Sequence, residues 1–358
     1  MRDLKDKNIL IIMPQFYSYQ TKMREDLESR GAHPHFYNEE PDKTQFLILK
    51  NLGDIFHNEK IFDGFNKKLK NKILSEMPEE GYDYFLVIRG NVLSEQTIHE
   101  LKNKALKSTG KSIYYSWDSF KNLRHKGEIG RLFDWRGTFD SVDAKESKLD
   151  YKLLPLFYSD EFDANRLPLE GKLSAEQTDE VFDYVSVSAF FPFRYRYFKA
   201  FKKANPDKKL CLKIYLDPKV YRGKKLKDPK LVKDLDMDII SFEPFSPDEI
   251  RDMVKNSKAV LDLAHEQQQG LTMRTMETLG IKRKLVTNNI YLRDYEFYNE
   301  TNDLIFTDLS SKADKAEQTG DYSEFILPGE EWLNKPYLEN EEVRQKYSIH
   351  AWIDNLFN

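Results

Sequence analysis

The sequence predicts an α/β chain built from two halves, each a doubly wound parallel sheet. Three observations carry this. Short apolar runs alternate with longer segments of helical period from Asn8 to Val142. A polar stretch, Ser159–Gln177, with Pro168 and Gly171 inside it, then breaks the alternation. The alternation restarts at Phe182 and continues to Thr307. Strands joined through helices make right-handed crossovers, which lay the strands parallel. Such strands are buried on both faces and read as continuous apolar runs, as these do.

In the first half, Asn8–Pro14 (NILIIMP) is a buried strand. Thr21–Arg30 has helical period, and Gly31 follows where a left-handed residue ends a helix. Pro34–Glu39 is a second strand, and Phe56–Met77 is mostly helical in period. Asp83–Gly90 (DYFLVIRG) is a strand, and Ser94 caps the helix Ser94–Lys107. Ser112–Asp118, Thr138–Val142 and Tyr151–Tyr158 are further strands. In the second half, Phe182–Val187 is a strand and Phe193–Lys203 an aromatic, basic helix. Lys209–Leu216 and Asp238–Phe242 are strands. Ser246-Pro247-Asp248-Glu249 is a capping box with proline at the first helical position, opening the helix Ser246–Ser257. Ala259–Ala264 is a strand, Thr272–Leu279 a helix stopped by Gly280, and Lys284–Thr287 and Asp303–Thr307 are late strands. Glu341–Phe357 is a terminal helix. The expected domains are 1–165 and 175–340, with a linker at 166–174 and a tail at 341–358.

At 358 residues, 40% hydrophobic and 13% aromatic, the chain has material for two packed cores. A net charge of −4 gives no global pull toward nucleic acid. Cys211 is the one cysteine, which excludes a disulfide framework and a cysteine-based zinc site and fits a reducing cytoplasm. The seven histidines include no H-x-x-x-H pair. Ile9–Met13 is too short for a signal h-region. No run reaches the ~18–20 apolar residues that span a bilayer. The expectation is a soluble cytoplasmic protein, free to touch the inner face of a membrane.

Ala259–Gly280 (AVLDLAHEQQQGLTMRTMETLG) carries the most chemistry. A buried strand, a polar loop and a helix start follow in order, with Gly270 at the junction. A helix N-terminus offers unbonded N–H groups and partial positive charge to an anion. Gly270 permits close backbone approach, and Arg274 in the first turn supplies a forked donor for a phosphate. Glu277, about one turn on, supplies a carboxylate for a ribose diol. Together these fit a nucleoside diphosphate; the bland reading is an ordinary βα unit with a surface Glu and Arg.

Gln269, then Gly270 to Met276, then Glu277, resembles the donor-site motif of GT-B glycosyltransferases. In that motif two acidic residues bracket seven others and glycine follows the first. Thr278-Leu279-Gly280 matches the family's helix end. Gln269 stands where the first acid is usual, near the donor sugar in retaining families, and Glu277 resembles the ribose ligand. The segments NILIIMPQFYSY, YDYFLVIRGNVLS, IYYSWDS, LPLFYSDEF and GLTMRTMETLGIKRKLVTNN, in that order, resemble a bacterial CgeB-like subfamily of capsule, exopolysaccharide or lipopolysaccharide assembly. The resemblance implies two Rossmann-like domains facing a cleft, the first for a glycan or lipid-linked acceptor and the second for a nucleotide-sugar. It implies a tail helix returning to the first domain, metal-independent hexosyl transfer and no cofactor. It places the donor on Ser188, Phe245, His265, Gly270, Leu271, Thr272, Arg274 and Glu277. Ser188 lies in VSVSAFFPF, where relatives carry glycine. Two other readings stand: a nucleotide-sugar 2-epimerase of the same fold, and a non-catalytic nucleotide- or sugar-binding partner in a polysaccharide assembly complex. A dinucleotide oxidoreductase is disfavoured, since no G-x-G-x-x-G follows Asn8–Pro14 or Phe182–Val187.

Several weaker signals have two readings each. Asp118 ends a strand, as a general base on an acceptor hydroxyl in an inverting enzyme or as the cap of a helix starting at Ser119. Trp117 stacks on a sugar or packs in the core. Asp236-Met237-Asp238 spells the D-x-D of metal-dependent transferases but precedes its strand, so chance is favoured. His265 and Glu266 contact the donor or are solvated. Phe245, in FEPFS, stacks on the base or packs. Phe193–Lys203 and Lys219–Lys233 attract anionic lipid, bind single-stranded nucleic acid or form solvated faces. The acidic balance disfavours nucleic acid.

Overall fold

The structure is a computed structural model and describes residues 3–15, 18–41, 46, 59–166, 182–227, 233, 235–265 and 268–358. Glu266, residues 56–58, residues 167–177 of the polar stretch and residues 228–232 of the second basic stretch lie outside these. Contacts divide the chain into two compact units, Met1–Leu156 with Ile349–Asn358, and Phe157–Ser348.

The first unit is a six-stranded parallel sheet. Its elements are β1 (Asn8–Met13), α1 (Tyr19–Ser29), β2 (His33–Asn38), α2 (Asp63–Glu76), β3 (Tyr82–Ile88), α3 (Glu95–Lys104), β4 (Leu106–Ser116), β5 (Trp135–Thr138), α4 (Ser141–Glu146) and β6 (Lys152–Leu153). The strand order is β2-β1-β3-β4-β5-β6. Ile9, Leu10, Ile11 and Ile12 are all buried, as a strand covered on both faces requires. Gly31 takes φ +75°, and Ser94 accepts the Thr97 N–H at 3.2 Å, so both punctuation signals act where the sequence puts them.

The second unit repeats the pattern. It comprises β7 (Phe182–Ala189), α5 (Pro192–Ala204), β8 (Leu210–Tyr215), α6 (Pro218–Lys227), β9 (Ile240–Ser241), α7 (Pro247–Lys255), β10 (Ser257–Asp262), α8 (Met273–Gly280), β11 (Lys284–Thr287), β12 (Asp303–Ile305), α9 (Leu309–Thr319), α10 (Glu330–Leu333) and α11 (Glu341–Gln345). The order is β12-β11-β10-β7-β8-β9, all parallel. The Ser246–Glu249 capping box forms in full, with Pro247 at the first helical position. The basic aromatic segment Phe193–Lys203 is a core helix. Tyr197, Phe198 and Phe201 are buried, while Arg196 pairs with Asp314, Lys202 with Asp236 and Asp238, and Lys203 bonds the Tyr322 hydroxyl. Its charges are therefore largely spent within the unit.

Two expectations at the boundaries change. Ser159–Arg166, read as part of the polar connecting stretch, packs into the second unit, because buried Arg344 reaches Tyr158 and Asp163. The terminal segment, read as one helix, is two. Glu341–Gln345 stays with the second unit, and α12 (Ile349–Leu356) belongs to the first. There Trp352 packs on Tyr115 and Trp117, and Arg30 bonds Asp26, Asp354 and the His350 carbonyl. Gly280 also has a role other than a left-handed stop. It is the last residue of α8, and a Cβ there meets Tyr158 Cγ at 2.5 Å and the Phe162 carbonyl at 2.6 Å. Glycine lets the Tyr158–Phe162 segment lie against the helix.

Among the described residues no helix is long and apolar enough to cross a membrane.

Candidate functional sites

In the second unit the chain order reverses direction across the sheet between β7 and β10. Ligands of such sheets sit outside the carboxyl ends of the strands at this point. Phe190–Phe191 follow β7 there, and Leu263–His265 follow β10, with Gln268–Leu271 before α8.

The start of α8 is built around one carboxylate. Asp262, the last residue of β10 and 8% exposed, accepts hydrogen bonds from the Thr272 and Thr275 hydroxyls. Thr272 caps the helix by accepting the Thr275 N–H at 3.1 Å. Its hydroxyl is thus committed to the cap and to Asp262, so Thr272 offers a ligand no side-chain donor. The Met276 N–H bonds the Thr272 carbonyl. The Met273 and Arg274 amides precede the first intrahelical bond and are the groups such a start presents to an anion. Leu271 is buried, so only its backbone serves a ligand.

Arg274 and Glu277, read separately as phosphate and ribose ligands, pair with each other. Arg274 Nη1 lies 2.6 Å from Glu277 Oε2, with 17% and 7% side-chain exposure. The i,i+3 spacing on one helix face makes this contact natural. Gly270 is buried and is held by its carbonyl, which accepts from Asn289 Nδ2 and Gln268 Nε2, both at 3.2 Å. Asn289 also bonds the Gln269 carbonyl, and Asn288 Nδ2 the Ala264 carbonyl at 3.0 Å. The Gln269 side chain reaches the Tyr291 hydroxyl at 3.3 Å.

On the β7 flank, Arg194 donates to the Leu263 carbonyl through Nε and Nη2 at 3.0 and 2.9 Å, and to the Ala189 carbonyl at 3.0 Å. Burial lowers its pKa and the Asp262 charge works the other way. His265 stands edge-on to Phe193, with ring centroids 5.2 Å apart. The buried Ser188 hydroxyl finds no hydrogen-bond partner among the described residues. Phe245 is half-buried in the loop after β9.

Asp262, Arg194, Asn288 and Asn289 belong to this site without a motif in the sequence that marks them. An acid inside the apolar run AVLDLA was the available signal for Asp262. The asparagines end a strand at the same sheet edge, which only the topology reveals.

The first unit places Asp118 at the carboxyl end of β4. It does not cap the following turn, which starts at Ser119; there the Phe120 N–H bonds Asp143 instead. Asp118 Oδ2 pairs with Arg89 Nε at 3.0 Å. Arg89, with φ +71°, also faces Glu40 at 2.9 Å and Glu39 at 3.4 Å. Burial pushes the Asp118 pKa up, against the pull of Arg89. Trp117 is buried against Tyr19, Tyr115 and Trp352, as core packing requires. In the second unit, Asp236 and Asp238 both pair with the Lys202 ammonium, at 2.8 and 2.9 Å, which gives that D-x-D a structural role.

Glu39 is fully buried, and burial pushes its pKa from 4.5 up to about 8. Between those values the unfolded chain is ionised while the folded one keeps the proton, so stability falls as pH rises through this window and levels above it. Glu39→Gln removes the effect. Its advantage over the wild type in urea unfolding is expected to grow by up to ~5 kcal/mol from pH 4.5 to 8. A pH-independent difference contradicts the assignment.

No protein-family model matches the sequence, and no curated protein matches it. Solved structures do. Methanocaldococcus jannaschii UDP-GlcNAc 2-epimerase, in complex with UDP-GlcNAc and UDP, is 12% identical over 98% of this chain and 99% of that one, with a TM-score of 0.53. S. aureus MnaA with UDP is 12% identical over 98% and 95%, also at 0.53. Anabaena HepE in complex with UDP-glucose is 8% identical over 98% of each chain, at 0.55. At these identities the likeness is one of fold: the chain has the α/β fold of two Rossmann-like units, of the GT-B type.

Proposed function

We propose that the protein is a metal-independent glycosyltransferase of the hexosyl type. It takes a sugar from a nucleotide-sugar to a glycan or lipid-linked acceptor in bacterial surface polysaccharide synthesis, for capsule or lipopolysaccharide. Its place is the cytoplasm, in peripheral contact with the inner face of the membrane. The observation that carries this reading is the start of α8. A capped helix N-terminus, braced by buried Asp262, lies at the sheet's switch point, with Arg274 on its first turn paired to Glu277 one turn on.

The chemistry follows from these parts. The diphosphate lies on the Met273 and Arg274 amides, where the helix dipole favours negative charge. Arg274 turns from Glu277 to the phosphates, and Glu277 accepts hydrogen bonds from the ribose diol. As the glycosidic bond to the diphosphate breaks, the leaving oxygen keeps the electron pair and its charge is met by groups already in place. Asp118 takes the proton from the attacking hydroxyl. Its raised pKa suits a base, and Arg89 fixes its orientation.

Nucleotide-sugar 2-epimerisation is the second reading, favoured by the likeness to the 2-epimerase fold over nearly the whole chain. One assay separates the two. UDP-, GDP-, CMP- and dTDP-sugars are incubated without acceptor, and the products are followed by proton NMR. A transferase slowly releases free sugar together with the nucleoside diphosphate, or CMP from a CMP-sugar, whereas an accumulating 2-epimer supports the rival. Asp118→Asn is expected to slow the hydrolysis by about 10²–10⁴-fold. Unchanged turnover removes the base from the mechanism.

A further inference from the structure

Beside the start of α8 lies a group of rings that the proposed chemistry leaves unused. Phe191 is 45% exposed at the N-cap of α5. Its ring lies 5.7 Å from Phe193 and 6.5 Å from His265, and Phe193 lies 5.2 Å from His265. The rings therefore bridge the loop after β7 and the loop that leads into α8. The Arg194 guanidinium sits over both phenylalanines, 5.2 and 5.4 Å from the ring centroids.

The same residues make the start of α5 a poor anion site. Pro192, at the first helical position, has no N–H to give. Arg194 spends its donors on the Ala189 and Leu263 carbonyls. What the loop offers a ligand is an aromatic face, locked from behind by a half-buried cation. An exposed phenylalanine held this way suits a flat, partly apolar partner with polar edges.

We propose that Phe191, backed by Phe193, Arg194 and His265, is the surface that receives the glycosyl group of the donor, stacking on the C–H face of a neutral sugar ring. The proposal rests on the reading that the diphosphate lies at the start of α8. From there a nucleotide-sugar has two arms. Glu277 lies one turn along α8, which packs on β10 and β11 and so draws the ribose arm to that flank. The aromatic group lies on the other side of β10, on the β7 flank, since the strand order is β11-β10-β7. The sugar is the arm left to reach it.

The test measures affinities by titration calorimetry for matched pairs: UDP and UDP-glucose, UDP and UDP-N-acetylglucosamine, GDP and GDP-mannose, dTDP and dTDP-glucose. Wild type, Phe191→Ser and Phe191→Trp are compared on the tightest pair. Phe191→Ser is expected to weaken the nucleotide-sugar about tenfold and the bare nucleotide less than about twofold, with Phe191→Trp restoring the difference. Equal weakening of both ligands places the base, not the sugar, on Phe191 and overturns the proposal. So does no weakening of either. Both of those results leave the α8 site standing. If no nucleotide and no nucleotide-sugar binds the wild type, the α8 site itself fails, and the proposal with it. Phe191 is exposed, so the variants are expected to fold, and unchanged thermal midpoints without ligand check this.

Discussion

Arg344→Ala is expected to destabilise the Phe157–Ser348 unit by about 3–5 kcal/mol, the range for breaking a buried ion pair from one side. Arg344 is 1% exposed. Its Nη1 bonds Asp163 at 2.8 Å, the Tyr158 hydroxyl at 3.1 Å and the Gly280 carbonyl at 3.1 Å. Its Nη2 and Nε bond Glu341 at 2.7–3.2 Å. Burial works against the guanidinium charge, but the bonds to Glu341 and Asp163 outweigh it and raise its pKa. One side chain thus ties together α11, the segment after Phe157 and the carboxyl end of α8. Removing it leaves the Asp163 carboxylate, only 5% exposed, with the Asn165 N–H and the more distant Arg166, and leaves the Gly280 carbonyl with the Ala164 N–H alone. At roughly 2–4 °C per kcal/mol for a unit of this size, calorimetry should show the midpoint falling by about 10 °C. A fall under about 2 °C would mean that the network contributes little.

Glu277→Gln is expected to weaken nucleotide binding by about 10–100-fold, the loss of charge-assisted hydrogen bonds at a buried site. The amide keeps the size and shape of the carboxylate but loses its charge, and with it the charged partner of Arg274 across 2.6 Å. Two effects then act together. The ribose loses an ionised acceptor, and Arg274 loses the group that holds it in place. Adding Arg274→Gln separates them. If the pair acts as a unit, the double variant binds little worse than either single one. Calorimetric titration of each variant with the tightest nucleotide reads this directly. Full affinity in Glu277→Gln removes that residue from the ligand.

Much of the fold is legible in the sequence because local signals and tertiary burial agree. NILIIMP and DYFLVIRG hold the unbroken apolar runs Ile9–Met13 and Tyr84–Ile88, the pattern of a strand covered on both faces. The Ser246 capping box and Gly31 mark helix ends through backbone chemistry that depends on few neighbours. The terminal segment is different. Glu341–Phe357 carries a helical period throughout, and its break at Lys346–Ser348 comes from a distant contact, the Tyr158 N–H bonding the Tyr347 carbonyl. Gly280 misleads for a similar reason. Glycine after a helical period usually signals a left-handed stop, but here the close approach of Tyr158 and Phe162 requires it.

The candidate site is legible in part. Strand, loop, glycine and helix start are consecutive in the chain, so Gly270–Glu277 shows itself. Asp262 braces that start through two threonines 10 and 13 residues on, and Asn289 holds the loop from 19 and 20 residues away. Arg194 comes from the other side of the switch point, 69 residues from the carbonyl it holds. No spacing rule links residues so far apart, and the order of strands in the sheet brings them together.

The central claim is that the first turn of α8 holds the diphosphate of a nucleotide-sugar. The direct measurement is the backbone amide resonances of Met273 and Arg274 in ¹⁵N-labelled protein, titrated with UDP-, GDP-, CMP- and dTDP-sugars. The nucleotide-sugar that binds is expected to shift these two amides most, in proportion to occupancy, and the bare nucleoside diphosphate is expected to shift them too. Saturating binding that leaves both amides unmoved while shifting residues elsewhere would contradict the central claim.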